Sequence, residues 1–142
     1  MRYNIMEYLY FVACAMNKFN VGLLGFGFMG KTHAFCVDNL KYYYDGLPFE
    51  VKISGVCTTS MEKSLAVAEK YGLGRPCVSE DDLIYDPEIN VIDVCTPNIY
   101  HFETVKKALL AGKHVYSEKP LGADWEEGCE LVALAEERGL WI

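Results

Sequence analysis

No two cysteines in this chain of 142 residues stand in a CxxC pair. Cys14, Cys36, Cys57, Cys77, Cys95 and Cys129 are scattered singly, which speaks against a zinc site or a disulfide framework and for no bound metal. Cys57 and Cys95 fall in apolar runs, as small buried hydrophobes do, so reduced thiols in a cytoplasmic setting are expected. Basic residues are scarce too: 13 Lys and Arg face 20 Asp and Glu, a net charge of −7. A surface that tracks nucleic-acid phosphates is normally basic, so no nucleic-acid partner is expected. The apolar run Tyr8 to Met16 falls well short of the roughly 20 residues that cross a bilayer, so no membrane partner is expected. Glu7 and a poorly basic start also argue against an export signal, so none is expected. Residues 1–18 read as an N-terminal extension; 1–15 precede a further methionine, Met16, and carry no expected function.

What remains is one globular domain, 19–142, too short to divide in two. Its organising stretch is the apolar run Val21 to Leu24 followed by Gly25-Phe26-Gly27-Phe28-Met29-Gly30. A strand that must turn at once into a helix around a phosphate needs this spacing. The first glycine permits the turn, the second lets bare backbone approach a pyrophosphate, and the third lets helix and strand pack closely. The helix N-terminus adds unpaired N–H groups and the positive end of a dipole.

Beyond it the pattern alternates. A helix is expected over 29–43, with Tyr42 to Tyr44 as a packed aromatic end before a loop. Strand two is Val51 to Cys57, and Thr59-x-x-Glu62 forms a capping box for a second helix bearing Met61, Leu65 and Ala68 on its apolar face. Arg75 to Val78 is a short third strand. Val91 to Cys95 is a fourth, of the kind a parallel sheet buries on both faces, and its Asp93 needs a partner. Thr96-Pro97-Asn98 breaks it, and Phe102, Val105 and Leu109 line the next helix. His114 to Tyr116 is strand five, Asp124-x-x-Glu127 opens a last helix, and Leu140 to Ile142 begins a sixth strand that the terminus cuts short. Strands alternating with helices imply an α/β fold, a doubly wound parallel sheet of Rossmann type. Its ligands should sit beyond the carboxyl ends of the strands.

Three motifs fall at such ends: Gly25-x-Gly27-x-x-Gly30, Thr96-Pro97-Asn98-x-x-His101, and Ala111-Gly112-Lys113-His114-Val115-Tyr116-Ser117-Glu118-Lys119-Pro120. Together they resemble the N-terminal domain of the Gfo/Idh/MocA (glucose–fructose oxidoreductase and inositol dehydrogenase) family, over roughly residues 19 to 142. The resemblance implies an NAD(P)-dependent oxidoreductase, a dehydrogenase passing a hydride between a nicotinamide cofactor and a small-molecule substrate such as a sugar or polyol. Family members carry most substrate contacts on a second, C-terminal domain, which this sequence does not show. The expected function is therefore nucleotide binding by an incomplete enzyme, with a non-catalytic dinucleotide-binding module or a gene fragment as the alternative. An uncovered sheet edge makes a homo-oligomer a further expectation.

On this reading Lys119 is the catalytic residue, its ammonium orienting substrate oxygen beside the nicotinamide. The cofactor-binding set comprises Gly25, Phe26, Gly27, Phe28, Met29, Gly30, Thr58, Thr59, Thr96, Pro97, Asn98, His101, Glu118, Lys119 and Pro120. Asn98 doubles as a helix N-cap, and Glu118 either meets cofactor ribose or amide or holds Lys119. An acid at the end of strand two would bind the ribose 2′-OH of NAD. Thr58-Thr59-Ser60 and Lys63 stand there instead, and Glu62 is occupied by the capping box, so NADP is favoured over NAD.

Overall fold

The computed structural model of the protein describes residues 18–142; the run Tyr8 to Met16 and Cys14 lie outside them. Strand β1, Lys18–Leu24, is buried from Val21 to Leu24. Strand β2, Glu50–Cys57, pairs with one edge of it and β4, Val91–Val94, with the other. Outside these lie β3, Arg75–Cys77, and β5, His114–Ser117, giving a five-stranded parallel sheet in the order β3-β2-β1-β4-β5. Chain order therefore reverses beside β1, where a crevice opens at the carboxyl ends of β1 and β4.

Helices α1 (Phe28–Tyr43), α2 (Met61–Tyr71), α3 (Asp81–Ile84), α4 (His101–Leu110) and α5 (Trp125–Arg138) cover both faces. Because side chains alternate along a strand, Val21 and Leu23 join Ala34 of α1 and Ala68 of α2 in one core. Leu24 joins Leu83 of α3, Val105 and Leu109 of α4, and Leu131 of α5 in the other. The expected doubly wound parallel sheet is what forms.

Local details depart from expectation for identifiable reasons. Helix α2 begins one residue later than the Thr59 box requires: Ser60 is the N-cap, its hydroxyl accepting the Lys63 N–H at 3.3 Å. That start leaves Glu62 outside any box and rotates the buried face onto Ser64 and Ala68, with Met61 and Leu65 exposed. The second box forms in a shifted version. Asp124 accepts the Glu127 N–H at 2.9 Å, while Glu127 reaches back to the N–H of Ala123 at 2.7 Å. Tyr42, Tyr43 and Tyr44 are exposed rather than packed. Leu140 to Ile142 is not a strand; two bonds tie it to β5, from the Val115 N–H to the Trp141 carbonyl at 2.9 Å and from the Trp141 backbone N–H to His114 Nδ1 at 3.1 Å.

Candidate functional site

Only Gly25, Phe26 and Gly27 separate β1 from α1. Gly25 has φ +91°, and a Cβ built on it would lie 2.6 Å from the Cys95 carbonyl oxygen. A Cβ on Gly30 would run into the carbonyl of Gly25, whereas one on Gly27 meets nothing within 4 Å. The outer glycines thus let the chain close on itself, and the middle one borders open space. Gly27 is also the N-cap of α1, with no side-chain cap and no acid in the first turn. The first N–H groups of a helix have no partner within it, so this uncapped end offers several donors and a positive dipole end.

The space is a cleft of about 1340 Å³ across the carboxyl ends of the strands. Gly25 to Met29, Thr58, Thr59, Thr96 to Asn98, Glu118 and Lys119 all line it. Gly30, His101 and Pro120 do not: Gly30 and His101 are buried, and Pro120 is exposed outside it. His101 is fully buried, with Nε2 2.9 Å from the Thr96 carbonyl and Nδ1 2.7 Å from that of Pro120. It clamps the loop after β4 to the loop after β5.

The individual side chains divide into those with internal partners and those without. Thr58 is consumed by its own loop: its N–H donates to Ser64 Oγ at 3.0 Å and its hydroxyl donates to the Ser60 carbonyl at 3.2 Å. Thr59 Oγ1 accepts from Lys63 Nζ at 3.0 Å, and Lys63, Lys31 and Lys70 set three ammonium groups on the wall. Asn98 does not cap α4, because a 3₁₀ turn, Asn98–Tyr100, intervenes and leaves the Asn98 side chain exposed. The Thr96 hydroxyl is buried without a hydrogen-bond partner among the described residues. Lys119 is exposed, and among the described residues its ammonium has no hydrogen bond or ion pair; in particular Glu118 does not hold it.

Glu118 turns inward instead. Its Oε1 lies 3.1 Å from Nε2 of His33, whose Nδ1 lies 2.9 Å and 3.0 Å from the two carboxylate oxygens of Asp93. The partner that Asp93 needs is therefore His33, 60 positions earlier in the chain. Burial raises the Asp93 pKa above the usual carboxylate value, and the hydrogen bond from His33 opposes that rise. Cys95 Sγ sits 3.2 Å from the same Nδ1, and burial together with the Asp93 charge pushes its thiol far up, leaving it un-ionised and inert. Sequence reasoning passed over His33. The available signal was its place three residues after Gly30, on the buried side of α1 with Gly30 and Ala34.

The open cradle at Gly27, the uncapped α1 terminus and the orphaned Thr96 hydroxyl fit a dinucleotide in their chemistry. Residues 19–142 match the family described as an oxidoreductase family with an NAD-binding Rossmann fold. Levoglucosan dehydrogenase of Pseudarthrobacter phenanthrenivorans is 30% identical over 125 residues, 88% of this chain and 32% of that protein. A solved levoglucosan dehydrogenase in complex with NADH and levoglucosan superposes with a TM-score of 0.82 at 30% identity, over 87% of this chain and 33% of the other. A 3-ketoreductase from Actinomadura kijaniata, solved with NADP and TDP-benzene, gives a TM-score of 0.74 at 28% identity, over 87% of this chain and 36% of that one. The chain spans about a third of the length of the relatives it matches.

Proposed function

The chain belongs to the Gfo/Idh/MocA oxidoreductase family, of which it is the NAD-binding Rossmann domain, and on that premise we propose that its cleft holds NADP(H), with NAD(H) the weaker ligand. The observation that carries this is the pairing of Gly27, where bare backbone meets open space, with the uncapped start of α1. Backbone N–H groups there bind the pyrophosphate, since no side chain caps them. Thr59 and Lys63, joined at 3.0 Å beyond β2, supply a hydroxyl and a positive charge for a ribose 2′-phosphate. The sequence-based ground for NADP also leaned on Glu62 being occupied; that ground is gone. Glu62 nevertheless stays off the cleft wall, which Thr59 and Lys63 share.

The two relatives solved with NADH and with NADP also bound levoglucosan and TDP-benzene, respectively. The reaction we propose for the whole protein, completed by a substrate domain, is the interconversion of a sugar or polyol hydroxyl and its ketone. When bound, the nicotinamide takes or returns the hydride. The residues of this chain position and polarise. Lys119, whose ammonium has no hydrogen bond or ion pair among the described residues, lines the cleft and stabilises negative charge growing on the substrate oxygen. Thr96 and Asn98 line the same cleft, and His101 keeps their loop, after β4, at a fixed separation from the loop after β5.

Calorimetric titration with NADPH and with NADH tests the reading. Saturable binding of both, tighter for NADPH, supports it; heats indistinguishable from dilution with either would refute it.

A further inference from the structure

Outside the cradle and Lys119, the described residues bury a cluster of ionisable groups that neither packing nor the proposed reaction explains: Asp93, His33 and Glu118. Burying two carboxylates side by side is costly unless each is paired and hydrogen-bonded. Here a single imidazole serves both, with Asp93 on Nδ1 and Glu118 on Nε2. His33 and Asp93 are buried, and Tyr116 closes the assembly with its ring 4.8 Å from that of His33. A neutral ring donates from one nitrogen only. The three groups therefore need one extra proton, on the ring or on either of the two acids, to fill both contacts. The charged or titratable neighbours facing the ring are those two acids, the Cys95 thiol and Tyr116.

The geometry has a direction. Asp93 is sealed within the sheet, while Glu118 lines the cleft. His33 takes Oε1 of Glu118, and Oε2 has no hydrogen-bond partner among the described residues. An acceptor oxygen is thus held at the cleft wall by a ring that is itself locked from behind. This is the arrangement by which outer partners orient a ligand-contacting group.

We propose that His33, anchored by Asp93, is a positioning residue that fixes the Glu118 carboxylate as a hydrogen-bond acceptor for the nicotinamide-nucleoside half of the dinucleotide. The inference rests on the dinucleotide reading of the cleft and adds to it the residues that set its distal end. The donor is a ribose hydroxyl or the carboxamide N–H₂ of that half, and ligands of graded length separate the two.

The experiment measures dissociation constants of ADP, ADP-ribose and NADH, or of their 2′-phosphorylated counterparts, for wild type, His33→Ala, Glu118→Ala and the double variant. His33→Ala is expected to weaken NADH by about tenfold, as loss of an oriented charged hydrogen bond does, and to leave ADP within about twofold. ADP-ribose follows NADH if the donor is the ribose, and follows ADP if it is the carboxamide. The double variant is expected to lose no more than Glu118→Ala alone, because His33 acts through that carboxylate. Equal weakening of ADP and NADH, or additive losses, would assign His33 a purely structural role and overturn the proposal. If His33→Ala does not fold, the ring ¹⁵N–¹H spectrum of the wild type decides. The His33 ring nitrogen resonances are expected to move on saturation with NADH and not with ADP, and unmoved resonances count against the proposal. A wild type that binds none of the three ligands would instead bring down the dinucleotide reading, and this inference with it.

Discussion

Gly25 and Cys95 meet backbone to backbone: a Cβ on Gly25 would stand 2.6 Å from the Cys95 carbonyl oxygen, in a residue whose φ is already +91°. Either fact alone disfavours a side chain, and together they leave none that fits. The contact brings the end of β1 against the loop that follows β4, so the floor of the cleft is made of main chain. Gly25→Ala and Gly30→Ala are accordingly expected to destabilise the domain by about 2 kcal/mol or more each. Urea unfolding followed by circular dichroism measures this, and midpoints equal to that of the wild type would contradict the packing described.

Cofactor choice is expected to turn on Lys63. Reversing its charge with Lys63→Glu places a carboxylate beside Thr59, where the 2′-phosphate is proposed to sit. The ratio of NADPH to NADH affinity is expected to fall by about tenfold, through repulsion at short range. Titrations of the variant with both ligands at one ionic strength measure the ratio. An unchanged ratio would move the 2′-phosphate elsewhere.

Lys113 has a structural role despite its place in the motif before Glu118. Its Nζ donates to the carbonyls of Asp86 and Ile89, both at 2.6 Å, and tethers the turn between α3 and β4 to the start of β5. Burial holds its pKa below the usual lysine value, with the Asp86 charge opposing. Lys113→Ala leaves two carbonyls short of a donor, so a loss of about 1–3 kcal/mol is expected in urea unfolding. Dinucleotide affinity should change little, since Lys113 is not on the cleft wall.

Acid is expected to act through His114. Burial lowers its pKa from the ordinary 6.5, and its Nδ1 accepts the Trp141 N–H at 3.1 Å, which requires an unprotonated nitrogen. In the unfolded chain the ring takes its proton at about pH 6.5, and in the folded chain only at lower pH. Between those values the unfolded state binds more protons, so stability declines as pH falls below about 6.5. The urea midpoint should be lower at about pH 5.5 than at about pH 7.5, and His114→Asn should narrow that gap. A gap of equal size in the variant would remove His114 from the account.

The parts of this architecture that could be read from the sequence are those decided over a few residues. Three glycines at fixed spacing, alternating apolar runs and the loop after β5 all sit where short-range rules put them. Choices between adjacent equivalents went astray: Thr59 and Ser60 both carry a hydroxyl, and only the actual start of α2 shows that Ser60 is the cap. Asn98 has the chemistry of an N-cap, yet a 3₁₀ turn inserts itself before α4. The pairing of Asp93 with His33 was beyond local reasoning altogether. It depends on β4 lying beside β1 and on which side of α1 faces the sheet, and both are properties of the folded whole.

The central claim is that bare backbone at Gly27 cradles a dinucleotide's pyrophosphate. Gly27→Val tests it most directly, because the space around that position is open and the substitution leaves the packing of the free domain intact. The variant is expected to unfold cooperatively like the wild type and to show no saturable change in NADPH or NADH fluorescence. Wild-type affinity in a folded Gly27→Val domain would contradict the account.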